Sequence, residues 1–273
     1  MENFLKSVLE LKIDFGNLIL VRMGGESLSN DTELSPRDFI RFSKEDIKEE
    51  TLKGLINSLT NAKRAIDCQI VNVLIEFGLE NDKIDKASEN LINDLNLQKK
   101  DLPYKLKLVQ ALGFAPGGLT AKVRNLRNKL EHSYKIPKRN EVDEAIEIAE
   151  LFILSIESKM KMLDDHFVLS STNFQHYDDP EKFKKNLLNP IIFTSQISVK
   201  FWPHTKLIEV RPIQNSKPKK KIMYKCDNSL YYYYLRLMNH LGERIDSVDD
   251  IKLILKHCNH PIPSTNIKFA EFY

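Results

Sequence analysis

The sequence predicts a mainly α protein: a helical bundle over residues 43–163, a smaller C-terminal α+β domain or extension over 164–273, and an N-terminal extension over 1–42. Three observations carry this expectation. Apolar residues recur at helical spacing in successive stretches between Leu52 and Met160, and the connections between those stretches are short. Beyond Asp164 the pattern changes to short runs rich in β-branched and aromatic residues.

In chain order, the first forty or so residues combine a short apolar pattern with Gly24-Gly25 and a polar stretch from Ser27 to Ser35-Pro36 that reads as a loop. Ser43, with Asp46 three residues on, resembles a helix N-cap. The stripe Leu52, Leu55, Ile56, Leu59, Ile66, Ile70, Val73, Leu74, Phe77 then predicts one long amphipathic helix ending near Gly78. Two shorter helices follow, around Leu91, Ile92 and Leu95 and around Leu102, Leu106, Val109 and Leu112; the second closes at Gly113 and the Ala115-Pro116-Gly117-Gly118 turn. A fourth opens at Leu119 and runs at least to His132, before the break at Pro137. A fifth is capped by Asn140 and carries Val142, Ile146, Ala149, Phe152, Ile153, Ile156 and Met160. In the C-terminal part, His166–Leu169, Ile191–Phe201, Leu207–Val210 and Ile222–Tyr224 read as strands, and Leu230–Leu241 and Val248–His257 as helices.

Composition narrows the function classes. With 42% hydrophobic and 29% charged residues, the 273-residue chain can bury a substantial core. A net charge of +3 is too near balance for bulk charge to indicate nucleic-acid binding, so any such contact must come from a local patch. Three cysteines, Cys68, Cys226 and Cys258, form no CxxC pair, and a reducing cytoplasm is their simplest home. Leu11 to Val21 is interrupted by Lys12 and Asp14, and no run of eighteen apolar residues occurs, so neither a signal peptide nor a membrane span is expected. No P-loop, GxSxG, HExxH or Gly-rich dinucleotide fingerprint is present. His257-Cys258-Asn259-His260 holds metal-capable side chains but no second closely spaced pair, so neither a metal nor a cofactor is expected.

The chemistry-bearing run is Arg127-Asn128-Lys129-Leu130-Glu131-His132-Ser133-Tyr134. On a helix wheel, with Arg127 at zero, Arg124, Asn128, Glu131, His132 and Tyr134 fall between about −20° and about 140°, and Val123, Leu126 and Leu130 between about 260° and about 320°. One face is apolar; the other gathers two arginines, an amide, a carboxylate, an imidazole and a phenol. Glu131 reads equally as a partner that pre-orients Arg127 or Arg124 and as a surface charge.

Arg127-Asn128 followed by His132 after four residues, with Ser133-Tyr134 extending it to an HxY form, resembles the signature of the HEPN superfamily. The resemblance covers about 120 residues, including the bundle and the place of the motif before the long closing helix. It implies a metal-independent endoribonuclease that works as a homodimer, with Arg127, Asn128 and His132 catalytic and with a toxin or defence role. A histidine of pKa near about 6.5 exchanges protons with a ribose 2′-hydroxyl or a leaving 5′-oxygen at neutral pH. Arginine supplies fixed charge and a planar fork of donors to the scissile phosphate. The resemblance also implies a possible cognate inhibitor protein, since some HEPN toxins are silenced by adenylylation of the HxY tyrosine. Tyr134 therefore has two readings, modification site or packing residue. A different class of function stays open: a non-catalytic HEPN module binding nucleotide, RNA or a protein partner.

The densest basic cluster, Lys217-Pro218-Lys219-Lys220-Lys221, reads either as a solvated loop between strands or, through Lys219, Lys220 and Lys221, as an RNA contact. Four consecutive tyrosines, Tyr231 to Tyr234, point in every direction on a helix, so most must be at least partly buried or at an interface.

Overall fold

The computed structural model describes residues 10–25, 33–80, 85–99, 102–115, 118, 119, 122, 125, 136–161, 163–171, 195–241, 244–262 and 266–271. The chain divides into two compact units, residues 27–162 and residues 1–26 together with 163–273. The expected N-terminal extension is thus shared between them. Among the described residues, no helix is long and apolar enough to cross a membrane.

In the described residues of the 27–162 unit all regular structure is helical: α1 (Pro36–Asp46), α2 (Leu52–Glu76), α3 (Lys86–Asp94), α4 (Tyr104–Ala111) and α5 (Arg139–Lys161), with short 3-10 turns at Ile47–Glu49 and Leu97–Lys99. The single long helix expected from Ser43 onward is two helices. Ser35 caps α1 with a full capping box, Pro36 standing at its start; Glu50 takes a left-handed conformation after the 3-10 turn; and Thr51 caps α2. Ser43 is no cap. It lies buried inside α1, where its hydroxyl donates to the Ser58 carbonyl at 2.7 Å and helps lock α1 on α2. Helices α2 and α4 end alike. Positive φ at Gly78 and Gly113 lets Leu79 and Phe114 donate back to Leu74 and Val109. Helix α5 packs on α1 and α2, burying Val142, Ala149, Phe152 and Ile156.

The other unit carries a seven-stranded sheet: β1 (Asn17–Gly24), β2 (His166–Ser171), β3 (Ser195–Trp202), β4 (Leu207–Gln214), β5 (Lys217–Pro218), β6 (Ile222–Tyr224) and β7 (Asn266–Glu271). The order is β5-β4-β3-β2-β1-β7, with β6 also on β4. Pairing is antiparallel except between β1 and β7, which run parallel with Leu18 opposite Ile267. The fold is therefore mixed α+β, not the mainly α protein expected. The physical reason lies at the two ends of the chain: Asn17–Gly24 and Asn266–Glu271, short runs without a long period of their own, become neighbouring strands once the fold brings them together. In β1, Leu18, Ile19, Leu20 and Val21 are all fully buried, so both faces of this internal strand are covered.

Further along, β3 alternates. Ile197, Val199 and Phe201 are buried, whereas Gln196, Ser198, Lys200 and Trp202 are not. By register the first set shares a face with Phe167, Leu169, Ile208, Val210 and Tyr224. Helices α6 (Ser229–Asn239) and α7 (Arg244–His257) complete the unit, and the Tyr234 ring of α6 lies 5.9 Å from that of Tyr224 on this apolar face. Tyr231, Tyr232, Tyr233 and Tyr234 are all fully buried. The four-tyrosine run is therefore core, and the same burial pushes the phenols of Tyr231 and Tyr234 upward in pKa.

Candidate functional site

The motif residues Arg124, Arg127, Asn128, Glu131, His132 and Tyr134 lie outside the described residues. What the structure describes is the frame on either side. Gly118, Leu119, Lys122 and Asn125 have helical backbone, where the motif helix was expected to begin. The approach from α4 is pinned to α5: Lys159 Nζ donates to the Gly113 carbonyl at 2.9 Å, and Ser155 Oγ to the Phe114 carbonyl at 3.4 Å. Phe114 is buried, its ring 5.3 Å from that of Phe77 in the turn that closes α2. The exit is pinned as well. Pro137 is buried, the Lys138 N–H donates to Glu141 Oε2 at 3.0 Å in the manner of an N-cap, and Arg139 Nη1 donates to the Ile47 carbonyl at 3.1 Å. Helix α5 thus begins at Arg139, before the expected cap Asn140, which lies inside it, and Glu141 is the side chain that reaches back to its start.

Between α1 and α5 runs a groove of about 420 Å³, lined by Ile40, Ile153 and Leu154 and by the cations Arg37, Arg41, Lys44 and Lys48. Three of these cations are paired: Arg37 with Glu157, Lys44 with Glu150 at 2.6 Å and Arg41 with Asp38 at 2.9 Å. Glu157 holds the Arg37 guanidinium above its usual pKa. Paired in this way, the stripe offers little net charge to an anion.

The basic cluster lies on the outer edge of the sheet. Asn215 and Ser216, both at positive φ, form the two-residue turn that sends the chain back along β4, first as β5 and then as β6. Lys219, Lys220 and Lys221 are exposed in the interruption between those strands. Lys219 Nζ lies 3.8 Å from Glu10 and Lys221 Nζ 3.3 Å from Glu209. Lysines on an edge strand also discourage pairing with another sheet.

That edge borders a polar face that the sequence reading passed over. By register, His166, Ser198, Lys200, Trp202, Glu209, Arg211 and Met223 all stand on the side of the sheet opposite the apolar one. His166 Nε2 is 2.9 Å from Ser198 Oγ. Burial, and next the charge of Lys200, lower the His166 pKa against an opposing effect of Glu209. Glu209 is 7% exposed and bonded by Arg211 at 2.6 Å and by Lys221, so its charge is compensated where water is scarce. Trp202 is 41% exposed, with Lys200 Nζ 4.5 Å above its ring. An exposed cation–π contact contributes only about 0.5–1 kcal/mol, so a planar group that stacks well can displace the ammonium. The signal was the alternation Gln196-Ile197-Ser198-Val199-Lys200-Phe201-Trp202, which puts a lysine and a tryptophan together on the polar side.

Other chemistry-bearing side chains are absorbed by the fold. The His257 ring stacks on Tyr233 at 4.6 Å, the His260 ring meets Phe15 at 5.5 Å, and burial pushes the Cys258 thiol up to about 11. Among the described residues no group of three or more His, Cys, Asp or Glu side chains is placed to hold a metal. Compared with known proteins, the chain matches no family model, no curated protein and no solved structure.

Proposed function

We propose that this chain is a cytoplasmic, metal-independent endoribonuclease of the HEPN type, active as a homodimer in a toxin or defence role and restrained by a cognate inhibitor protein. The observation that carries the reading is the run Arg127-Asn128 followed by His132, set in a segment whose approach and exit are both anchored to the helices of the 27–162 unit. Catalysis by positioned donors requires such a rigid frame.

In this reading the 2′-hydroxyl of the ribose attacks the adjacent phosphorus. The phosphorus–5′-oxygen bond breaks, leaving a 2′,3′-cyclic phosphate and a 5′-hydroxyl. His132 takes the proton from the 2′-hydroxyl or gives one to the leaving oxygen, and a second imidazole, His132 of the partner subunit, performs the other transfer. Arg127 binds the phosphate as its charge redistributes, and Asn128 orients the phosphate or His132. Glu131 pairs with Arg127 or Arg124 and orients it, and Tyr134 either packs on the bundle or is open to modification by an inhibitor.

The test is cleavage of labelled single-stranded and structured RNA in EDTA by the wild type, His132→Ala and Arg127→Ala, after all three are found to be folded dimers. Cyclic-phosphate products that fall at least about 100-fold in both variants are expected, the usual weight of a general acid–base group for His132 and of a charge-stabilising donor for Arg127. Absence of wild-type cleavage across varied RNAs, or a protein that is a monomer, sinks the reading in favour of a non-catalytic binding module.

A further inference from the structure

We propose that the polar face of the sheet, from Trp202 and Lys200 across to Arg211 and Lys221, is a binding platform for single-stranded nucleic acid, with Trp202 stacking on a base and the three cations meeting phosphates.

The face is built for such a ligand in three respects. First, it is partly open: the same strands bury Ile197, Val199 and Phe201 on one side and expose Trp202 on the other, so an aromatic ring stands on a pleated, hydrogen-bonded surface. Second, among the described residues that β2, β3, β4 and β6 place here, with Lys221 beside them, Lys200, Arg211 and Lys221 stand against the single carboxylate Glu209. Glu209 is nearly buried beneath two of those cations and presents little negative charge to a ligand, whereas the Arg211 side chain is 40% exposed and that of Lys221 54%. Third, Lys219 and Lys220 continue the positive charge along the edge. An aromatic ring beside cations spaced along neighbouring strands meets alternating bases and phosphates. Single strands expose bases for stacking and duplexes do not.

Trp202 is the only tryptophan in the chain, so its emission reports on this face alone. The experiment adds an oligouridylate and an oligoadenylate of about twelve nucleotides to the full-length Arg127→Ala/His132→Ala protein, which removes any contribution from cleavage. Saturable quenching by both single strands is expected, and much weaker quenching by the annealed duplex. With labelled oligonucleotide, Trp202→Ala weakens binding by about tenfold or more and Trp202→Phe recovers most of the loss, because a phenyl ring still stacks. Lys200→Ala together with Arg211→Ala flattens the dependence of log affinity on log salt by about 1.4, about 0.7 for each lost phosphate contact.

Three results overturn the proposal: no quenching by any single strand, affinity unchanged in Trp202→Ala, or polyglutamate quenching as strongly as RNA. The last assigns the face to an acidic protein partner. RNA cleavage by the wild type in the absence of quenching leaves the ribonuclease reading standing while this one falls.

Discussion

The helical unit and the sheet unit differ in how far along the chain the backbone finds its partner, although side chains of the helical unit also meet over long spans, as Arg37 does with Glu157. In the helical unit α1 meets α2 fifteen residues away, through Ser43 with Ser58 and Asp46 with Asn61. In the sheet unit Leu18 pairs with Ile267. Both units bury a full core, yet β1 and β7 of the second do not announce themselves in any short window of sequence. A helix satisfies its backbone locally, so the spacing of its apolar residues is sufficient evidence for it; a strand satisfies its backbone through a partner that sequence spacing does not name.

The largest expected effect lies in the sheet unit, where helices α6 and α7 are joined by a buried charge cluster. Asp250 is 1% exposed; its Oδ1 accepts from Arg236 Nε at 2.6 Å, and its Oδ2 lies 2.6 Å from His240 Nδ1, which therefore carries the proton. Ser247 adds a hydrogen bond to the His240 carbonyl. Replacing both partners of a buried pair is often harmless, but removing one leaves charge buried without its counterpart. Asp250→Ala is expected to cost about 3–5 kcal/mol, a large share of a domain's ordinary stability, with Asp250→Asn costing less. Urea unfolding followed by Trp202 emission reads this unit. A loss under about 1 kcal/mol would mean that packing alone holds α6 to α7.

The same contrast explains what was legible. The later segments were readable because each carries its own pattern: Leu207–Val210 and Ile222–Tyr224 are strands and Leu230 onward is a helix, within a few residues of expectation. Strand β1 was missed because its centre, Leu18–Val21, is buried on both faces and so shows no alternation, and β7 because its partner lies some 250 residues upstream on the chain, near the other end. Ser43 looked like a cap because Ser followed by Asp at three residues is a cap signature, but the same signature occurs at Ser35 with Asp38, where Pro36 adds the decisive start signal. Of the candidate site, the sequence displays the Arg127, Asn128 and His132 run in full, and the structure adds the anchored turns around it. The sheet's polar face needed register as well as pattern, since only pairing sets His166 of β2, Lys200 of β3 and Glu209 of β4 side by side.

A smaller effect is expected in the helical unit. The Ser35 hydroxyl accepts from the Asp38 N–H at 3.2 Å, and the Ser35 N–H donates to the Asp38 carboxylate at 3.0 Å, a bond that holds this carboxyl below its usual pKa. The hydroxyl also donates to Asp38 Oδ2 at 2.7 Å, so Ser35→Ala removes two of the three bonds and is expected to cost about 0.5–2 kcal/mol. Thermal unfolding followed by far-ultraviolet circular dichroism should move down by several degrees at most while the Trp202 transition moves less. Equal shifts in both signals would show that the units unfold as one and would erase the thermodynamic side of the comparison.

The smallest effect separates the units by pH. The helical unit contains one histidine, His132, whereas the sheet unit carries His166, whose folded pKa is lowered from 6.5 by burial and by Lys200. A lowered base binds fewer protons folded than unfolded, so the contribution of His166 to the stability of the sheet unit falls as pH drops below about 6.5, and the loss levels off only beneath the folded value. Glu209 opposes the shift without reversing it. The wild-type Trp202 transition should therefore weaken between about pH 7.5 and about pH 5.5, and that of His166→Gln should weaken less, since glutamine keeps a polar group near Ser198 and does not titrate. If RNA cleavage rests on His132, its pH profile should be the same in the wild type and in His166→Gln. A profile that follows the His166 substitution instead would tie the chemistry to the sheet unit and break the division of roles between the two.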